Sequence, residues 1–108
     1  GIRETTGAEQ IVRLVLARNV FRASGTRDIV SLMCGGAGSH LRVLAISGCE
    51  LGPEGAKALA TLLKCKAVPL TDLDASGNGL GDEGTVVVCG AASDSETLER
   101  LNLSRNGV

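Results

Sequence analysis

Between Leu41 and Leu63 the chain reads LRVLAISGCELGPEGAKALATLL, and its apolar residues change rhythm halfway. Leu44 and Ile46 stand two apart, so they share one face of an extended segment. Beyond Gly52 and Pro53 the apolar positions become Ala56, Leu59, Ala60, Leu62 and Leu63, which have helical spacing. Pro53 suits a helix start, because its fixed φ is already helical and its missing N–H would have no partner in the first turn. A short strand, a turn and a helix are therefore predicted for this stretch.

The same unit recurs along the chain. Ile11, Leu41, Leu70 and Leu98 open successive segments at intervals of 30, 29 and 28 residues. Three places on stand Leu14, Leu44, Leu73 and Leu101, and five places on stand Leu16, Ile46, Ala75 and Leu103. The ninth place holds Asn19, Cys49, Asn78 and Asn106, and the eleventh holds Phe21, Leu51, Leu80 and Val108. The pattern L-x-x-L-x-L-x-x-N/C-x-L thus appears four times in register, with Ala75 the weakest core position. Self-similarity at this period signals a stacked array, in which each unit has an apolar face it cannot bury alone. Strands are predicted near Val12–Ala17, Arg42–Ser47, Thr71–Ser76 and Glu99–Ser104. Helices are predicted near Thr26–Cys34, Pro53–Lys64 and Asp82–Ala91. The run Gly35, Gly36, Gly38, Ser39 reads as a loop that ends the first helix.

This motif resembles the leucine-rich repeat. The full helical half, LGPEGAKALATLL and again GLGDEGTVVVCGAA, with Gly25, Gly55 and Gly84 at one shared place, resembles the ribonuclease-inhibitor-like subtype. The resemblance covers residues 11 to 108. It departs from the pattern at Arg22, where the next two units have Gly52 and Gly81, and in the third helix, whose Val and Gly content predicts the lowest helix propensity. The implied fold is an α/β solenoid, a right-handed horseshoe with a parallel sheet on the concave face and helices on the convex face. Its units are expected at 11–40, 41–69, 70–97 and 98–108, about three and a half repeats, uncapped at both ends and so part of a longer array. Residues 1–10 would finish a preceding return loop.

Composition narrows the function classes. The chain is 44% hydrophobic but only 1% aromatic, so its core is aliphatic. A formal charge of −1 lacks the basic field that nucleic-acid or membrane binding needs, and neither partner is expected. No run of apolar residues reaches membrane-spanning length, and residues 1–10 are mostly polar, unlike a signal peptide. Cys34, Cys49, Cys65 and Cys89 form no C-x-x-C pair, and His40 is the sole histidine. No metal site or cofactor is expected, and unpaired thiols point to a cytoplasmic setting, with cytoskeletal association as a variant.

Strand alternation assigns the outward side chains. They are Arg13, Val15 and Ala17, then Val43, Ala45 and Ser47, then Asp72, Asp74 and Ser76, then Arg100, Asn102 and Ser104. Arg13, Asp72, Asp74, Arg100 and Asn102 would set the polarity of a concave protein-binding face, with Val15, Val43 and Ala45 as an apolar shelf. Asp72 should face Arg100 across adjacent strands. Asp72 and Asp74 stand about 7 Å apart on one face, a spacing compatible with acid–base chemistry. Solvated charges are the better reading, since no aromatic sugar platform accompanies them. No nucleophile elbow or phosphate loop occurs, and GGAG at Gly35–Gly38 precedes a strand instead of a helix. Asn19, Cys49, Asn78 and Asn106 are read as a structural ladder that satisfies backbone groups where each strand turns away.

The expectation is a non-catalytic interaction module or scaffold that binds another protein. The resemblance also implies three alternatives: a Ran-type GTPase-activating regulator, the repeat region of a NOD-like sensor, or a structural component of a cytoskeletal or axonemal assembly.

Overall fold

The computed structural model describes residues 12–16 and 18–107. The predicted roles of Ile11, Ala17 and Val108, and the return loop at residues 1–10, lie outside them. The elements are β1 (Arg13–Val15), α1 (Arg22–Leu32), a π-helical turn (Met33–Ala37), β2 (Val43–Ala45), α2 (Gly52–Lys64), β3 (Asp72–Asp74), α3 (Gly81–Asp94) and β4 (Arg100–Asn102). The strands form one parallel sheet in chain order, β1-β2-β3-β4. Parallel neighbours require a crossover that returns the chain to the same end, and each helix serves as one. Leu14, Leu44, Leu73 and Leu101 lie opposite one another across the sheet. Leu44 and Leu73 pack with Leu59, Leu62 and Val88 from the helices in one aliphatic core. The molecule is therefore an α/β solenoid of stacked strand–helix units.

Each strand is three residues long, shorter than predicted, yet its hydrogen bonding goes further. Leu16, Ile46 and Ala75 donate N–H to the carbonyls of Ala45, Asp74 and Asn102 at 2.7, 2.8 and 2.9 Å. Two residues on, Arg18, Gly48 and Gly77 donate to Ser47, Ser76 and Ser104 at 2.8, 3.0 and 2.9 Å. The backbone turns left-handed there: φ is 62° at Arg18, 65° at Gly48, 64° at Gly77 and 57° at Arg105.

The helices begin without side-chain caps. The next unit supplies acceptors instead. The carbonyl of Cys49 accepts from Phe21 and Arg22 at 3.2 Å, that of Asn78 from Gly52 at 3.0 Å, and that of Asn106 from Gly81 at 2.9 Å. These contacts place the start of α1 four residues earlier than predicted. They also require a left-handed residue at the first helical position, with φ of 57° at Arg22, 68° at Gly52 and 71° at Gly81. Glycine adopts this conformation freely, whereas arginine does so at a cost.

The helices pack closely because each carries a glycine one turn in. A Cβ on Gly55 would stand 3.8 Å from Ala23 Cα on α1, and one on Gly84 would stand 3.1 Å from Ala56 Cβ on α2. Packing prevails over propensity in α3, which runs unbroken from Gly81 to Asp94. The Gly-rich stretch after α1 differs from the predicted loop. Met33–Ala37 continues as a wide helical turn, with Met33 buried and Gly36 at φ 127°. No helix among the described residues is long and apolar enough to cross a membrane.

Candidate functional site on the concave sheet

The register sets two outward rows across the sheet. Arg13, Val43, Asp72 and Arg100 form the first, and Val15, Ala45, Asp74 and Asn102 the second. Seven of these eight line a shallow groove of about 300 Å³, and Val15 stands in register at its β1 end, 53% exposed. The four from the inner strands are half-buried, and the four from β1 and β4 are exposed. The groove has an apolar side at Val15, Val43 and Ala45 and a polar side at Asp72, Asp74, Arg100 and Asn102.

The two aspartates are engaged differently. Arg100 Nη1 lies 3.3 Å from Asp72 Oδ2, and Thr71 Oγ1 donates to Asp72 Oδ1 at 2.8 Å. Asp74 Oδ1 accepts from Ser76 N at 3.1 Å and Ser76 Oγ at 2.7 Å. Asn102 repeats this one strand later, accepting from Ser104 N at 3.0 Å and Ser104 Oγ at 2.8 Å. These are Asx turns, in which a short polar side chain bonds the backbone two residues on. Arg100 thus pairs with Asp72 across adjacent strands, whereas among the described residues Asp74 has no ion-pair partner. The surface can present hydrogen-bond acceptors and one uncompensated negative charge beside an apolar strip.

The ladder lies beneath the end of each strand. Asn78 is buried, and its Nδ2 donates to the carbonyls of Ile46 and Ala75 at 2.9 Å each. Its Oδ1 accepts from Cys49 N at 2.6 Å. Asn106 repeats the arrangement with the carbonyls of Ala75 and Leu103 at 3.1 and 2.8 Å, and accepts from Asn78 N at 2.8 Å. Cys49 takes the place with a thiol that donates to the Leu16 carbonyl at 2.9 Å. Asn19 is exposed and donates to Leu16 O at 3.1 Å. Cys49, Asn78 and Asn106 therefore each bond backbone of their own unit and of the preceding one, which fixes the spacing of the outward rows above them.

Sequence reasoning missed the hydroxyls that hold this surface. Thr71 Oγ1 shares its one proton between Asp72 Oδ1 and Arg42 O, the latter at 3.0 Å, and Thr97 Oγ1 donates to Leu70 O at 2.7 Å, tying strand entries across units. The D-x-S at Asp74–Ser76 and N-x-S at Asn102–Ser104 were a readable signal, because acid or amide two residues before a serine favours an Asx turn.

The family profile described as Leucine Rich repeat matches residues 39–60 and 68–89, which run from the approach to β2 into α2 and from the approach to β3 into α3. The chain is 38% identical over 73 residues to protein NLRC5 of Homo sapiens, covering 68% of this chain and 4% of that protein. It is 38% identical over 64 residues to protein CARMIL of Dictyostelium discoideum, covering 59% and 6%. It is 31% identical over 99 residues to ribonuclease inhibitor of Sus scrofa, covering 91% and 21%. The chain therefore spans a small part of the length of these curated relatives. Repeat period, parallel sheet, ladder and these likenesses agree: the chain belongs to the leucine-rich repeat proteins and is ribonuclease-inhibitor-like in kind.

Proposed function

We propose that this chain is a non-catalytic protein-interaction module whose concave sheet receives a protein partner. The observation that carries the reading is the two in-register rows over the strands. Eight side chains from four strands are set at strand spacing, about 4.8 Å between neighbours, on backbone locked from below by Asn78 and Asn106. A rigid surface loses little conformational entropy on binding, so weak contacts can add up to a specific complex. Val15, Val43 and Ala45 supply apolar area, while Arg13, Asp74 and the Asp72–Arg100 pair set charge register. Binding through a protein surface also accords with the likeness to a relative named for inhibiting a ribonuclease. The two aspartates act here as recognition charges, since each already accepts donors from its own sheet.

The test is site-specific photocross-linking of the full-length protein that carries this segment. A photoreactive residue at Val43 should form a covalent adduct with one cellular protein, and Asp74→Lys or Arg13→Glu should reduce that adduct about tenfold, as loss of a well-placed charge contact does. The same probe at Thr61, on the outer face of α2, should not capture it. Adducts from Thr61 alone, or equal adducts from both faces, would assign binding elsewhere.

A further inference from the structure

Charge is spread unevenly along the stack. Residues 70–97 carry six acids and no base, whereas residues 12–40 carry Arg13, Arg18, Arg22 and Arg27 against Asp28 alone. The concave groove lies across this divide. Arg13 stands on β1, Val43 and Ala45 on β2, and Asp72 and Asp74 on β3, and all five line one cavity. With about 4.8 Å between strands and about 3.3 Å per residue along them, Arg13 and Asp74 stand about 12 Å apart across it.

The bonds inside the groove fix which charges remain for a partner. Both oxygens of Asp72 face Arg100 Nη1, at 3.4 and 3.3 Å, and Thr71 Oγ1 adds a further contact. Asp74 uses Oδ1 alone, for Ser76 N and Ser76 Oγ, and its Oδ2 takes no bond among the described residues. Asn102 does the same on the next strand. Ser104 N is a donor only, so the Asn102 oxygen must face it, and the amide Nδ2 takes no bond among the described residues. At the other end, Arg13 has no ion pair among the described residues. From β1 to β4 the groove thus presents a cation, an aliphatic floor, an anion and an amide donor. A partner must answer in kind, because a charge closed into an interface without its opposite loses its water for nothing. The field of the flanking units has the same sense, basic first and acidic third, and would orient the approach.

Resting on the reading that the concave sheet binds a protein, we propose that its partner is a segment with three matched groups on one face. A Lys or Arg lies on Asp74 Oδ2, an aliphatic side chain on the Val43–Ala45 floor, and an Asp or Glu against Arg13. The partner's two charges stand about 12 Å apart, a span that about two turns of helix cover. A partner carbonyl beside the cation completes the match at Asn102 Nδ2. Asp74 is the specificity residue: one oxygen selects the cation, while the Asx turn made by the other holds the carboxylate still, which lowers the entropy lost on binding. Asn102 shows that this turn forms equally well without the charge.

The test selects phage-displayed random peptides on the full-length protein that carries this segment, and keeps those that no longer bind once Val43→Arg fills the groove. These peptides should carry a basic and an acidic residue on either side of an aliphatic one. Asp74→Asn preserves the bonds to Ser76, as Asn102 preserves its own to Ser104, and should weaken them about tenfold. Asp82→Asn makes the same change of charge on the exposed first turn of α3, outside the groove, and should weaken them less than about twofold. Groove-specific peptides that lack a basic residue, or that lose as much affinity to Asp82→Asn as to Asp74→Asn, would overturn the assignment while leaving concave binding in place. A library that yields no peptide blocked by Val43→Arg would remove the concave reading itself, and this inference with it.

Discussion

The inner strands β2 and β3 and the outer strands β1 and β4 carry the same inward leucine, but they bury it differently. Leu44 and Leu73 are 1% and 2% exposed, whereas Leu14 and Leu101 are only half-buried. The helices follow suit. Middle helix α2 buries Gly55, Ala56, Ala58, Leu59, Ala60, Leu62 and Leu63, while α1 buries only Thr26 and Val30 and α3 only Gly84, Val88 and Ala91. The units share one pattern, and among the described residues β2 and β3 have a paired strand on both sides whereas β1 and β4 have one on a single side. In such a stack stability belongs to the interfaces between units as much as to the units. The ladder shows the same gradient, since Asn78 and Asn106 are buried and Asn19 is exposed.

Replacing a core leucine gives the largest contrast. Leu73→Ala should cost about 2–5 kcal/mol, the range for a fully buried leucine whose site cannot collapse. In the 108-residue chain by itself, Leu101→Ala should cost no more than about half as much, since part of its surface there meets water. Urea midpoints would show this, and equal losses would mean that neighbour burial does not set the strength of a unit.

Asn78→Ala should come next, at about 2–3 kcal/mol, because it strands the Ile46 carbonyl and the Cys49 N–H in a dry interior, while the Ala75 carbonyl keeps its bond from Asn106. Asn19→Ala should fall below about 1 kcal/mol, where water can replace the lost partner. Faster hydrogen exchange at Cys49 in the first variant, with no matching change near Leu16 in the second, would identify the ladder as the cause.

The smallest effect sharpens the comparison at the helix starts. Arg22 holds the left-handed conformation that Gly52 and Gly81 take in the other units. Arg22→Gly should stabilise the chain by about 1 kcal/mol, the penalty for a side chain in that region. Gly52→Ala should destabilise it by a similar amount. A rise in thermal midpoint for the first and a fall for the second is expected; a fall for both would mean that the Arg22 side chain makes contacts worth more than its strain.

Much of the architecture was legible because a repeat states its pattern several times. Leu14, Leu44, Leu73 and Leu101 share a register in the sequence and in the sheet, and alternation from them places the outward rows correctly. The cross-strand meeting of Asp72 and Arg100 followed from the same count. What was not legible involved partners a whole unit away. α1 begins four residues before the predicted Thr26 because its first N–H groups bond Cys49 O, with no local cap to mark the place. Asp74 and Asn102 also hold Ser76 and Ser104 from their own strands, a bond that alternation along the strand does not express.

The amino-acid order by itself determined the period, the strand–helix alternation, the inward aliphatic stripe and the positions of the ladder, because each depends on spacing along one chain. Tertiary structure decided which leucines become dry, where the helices begin, and which hydroxyls tie one strand entry to the next. Those outcomes depend on atoms about 30 residues apart being brought into contact by stacking, and spacing within a single unit carries no record of them.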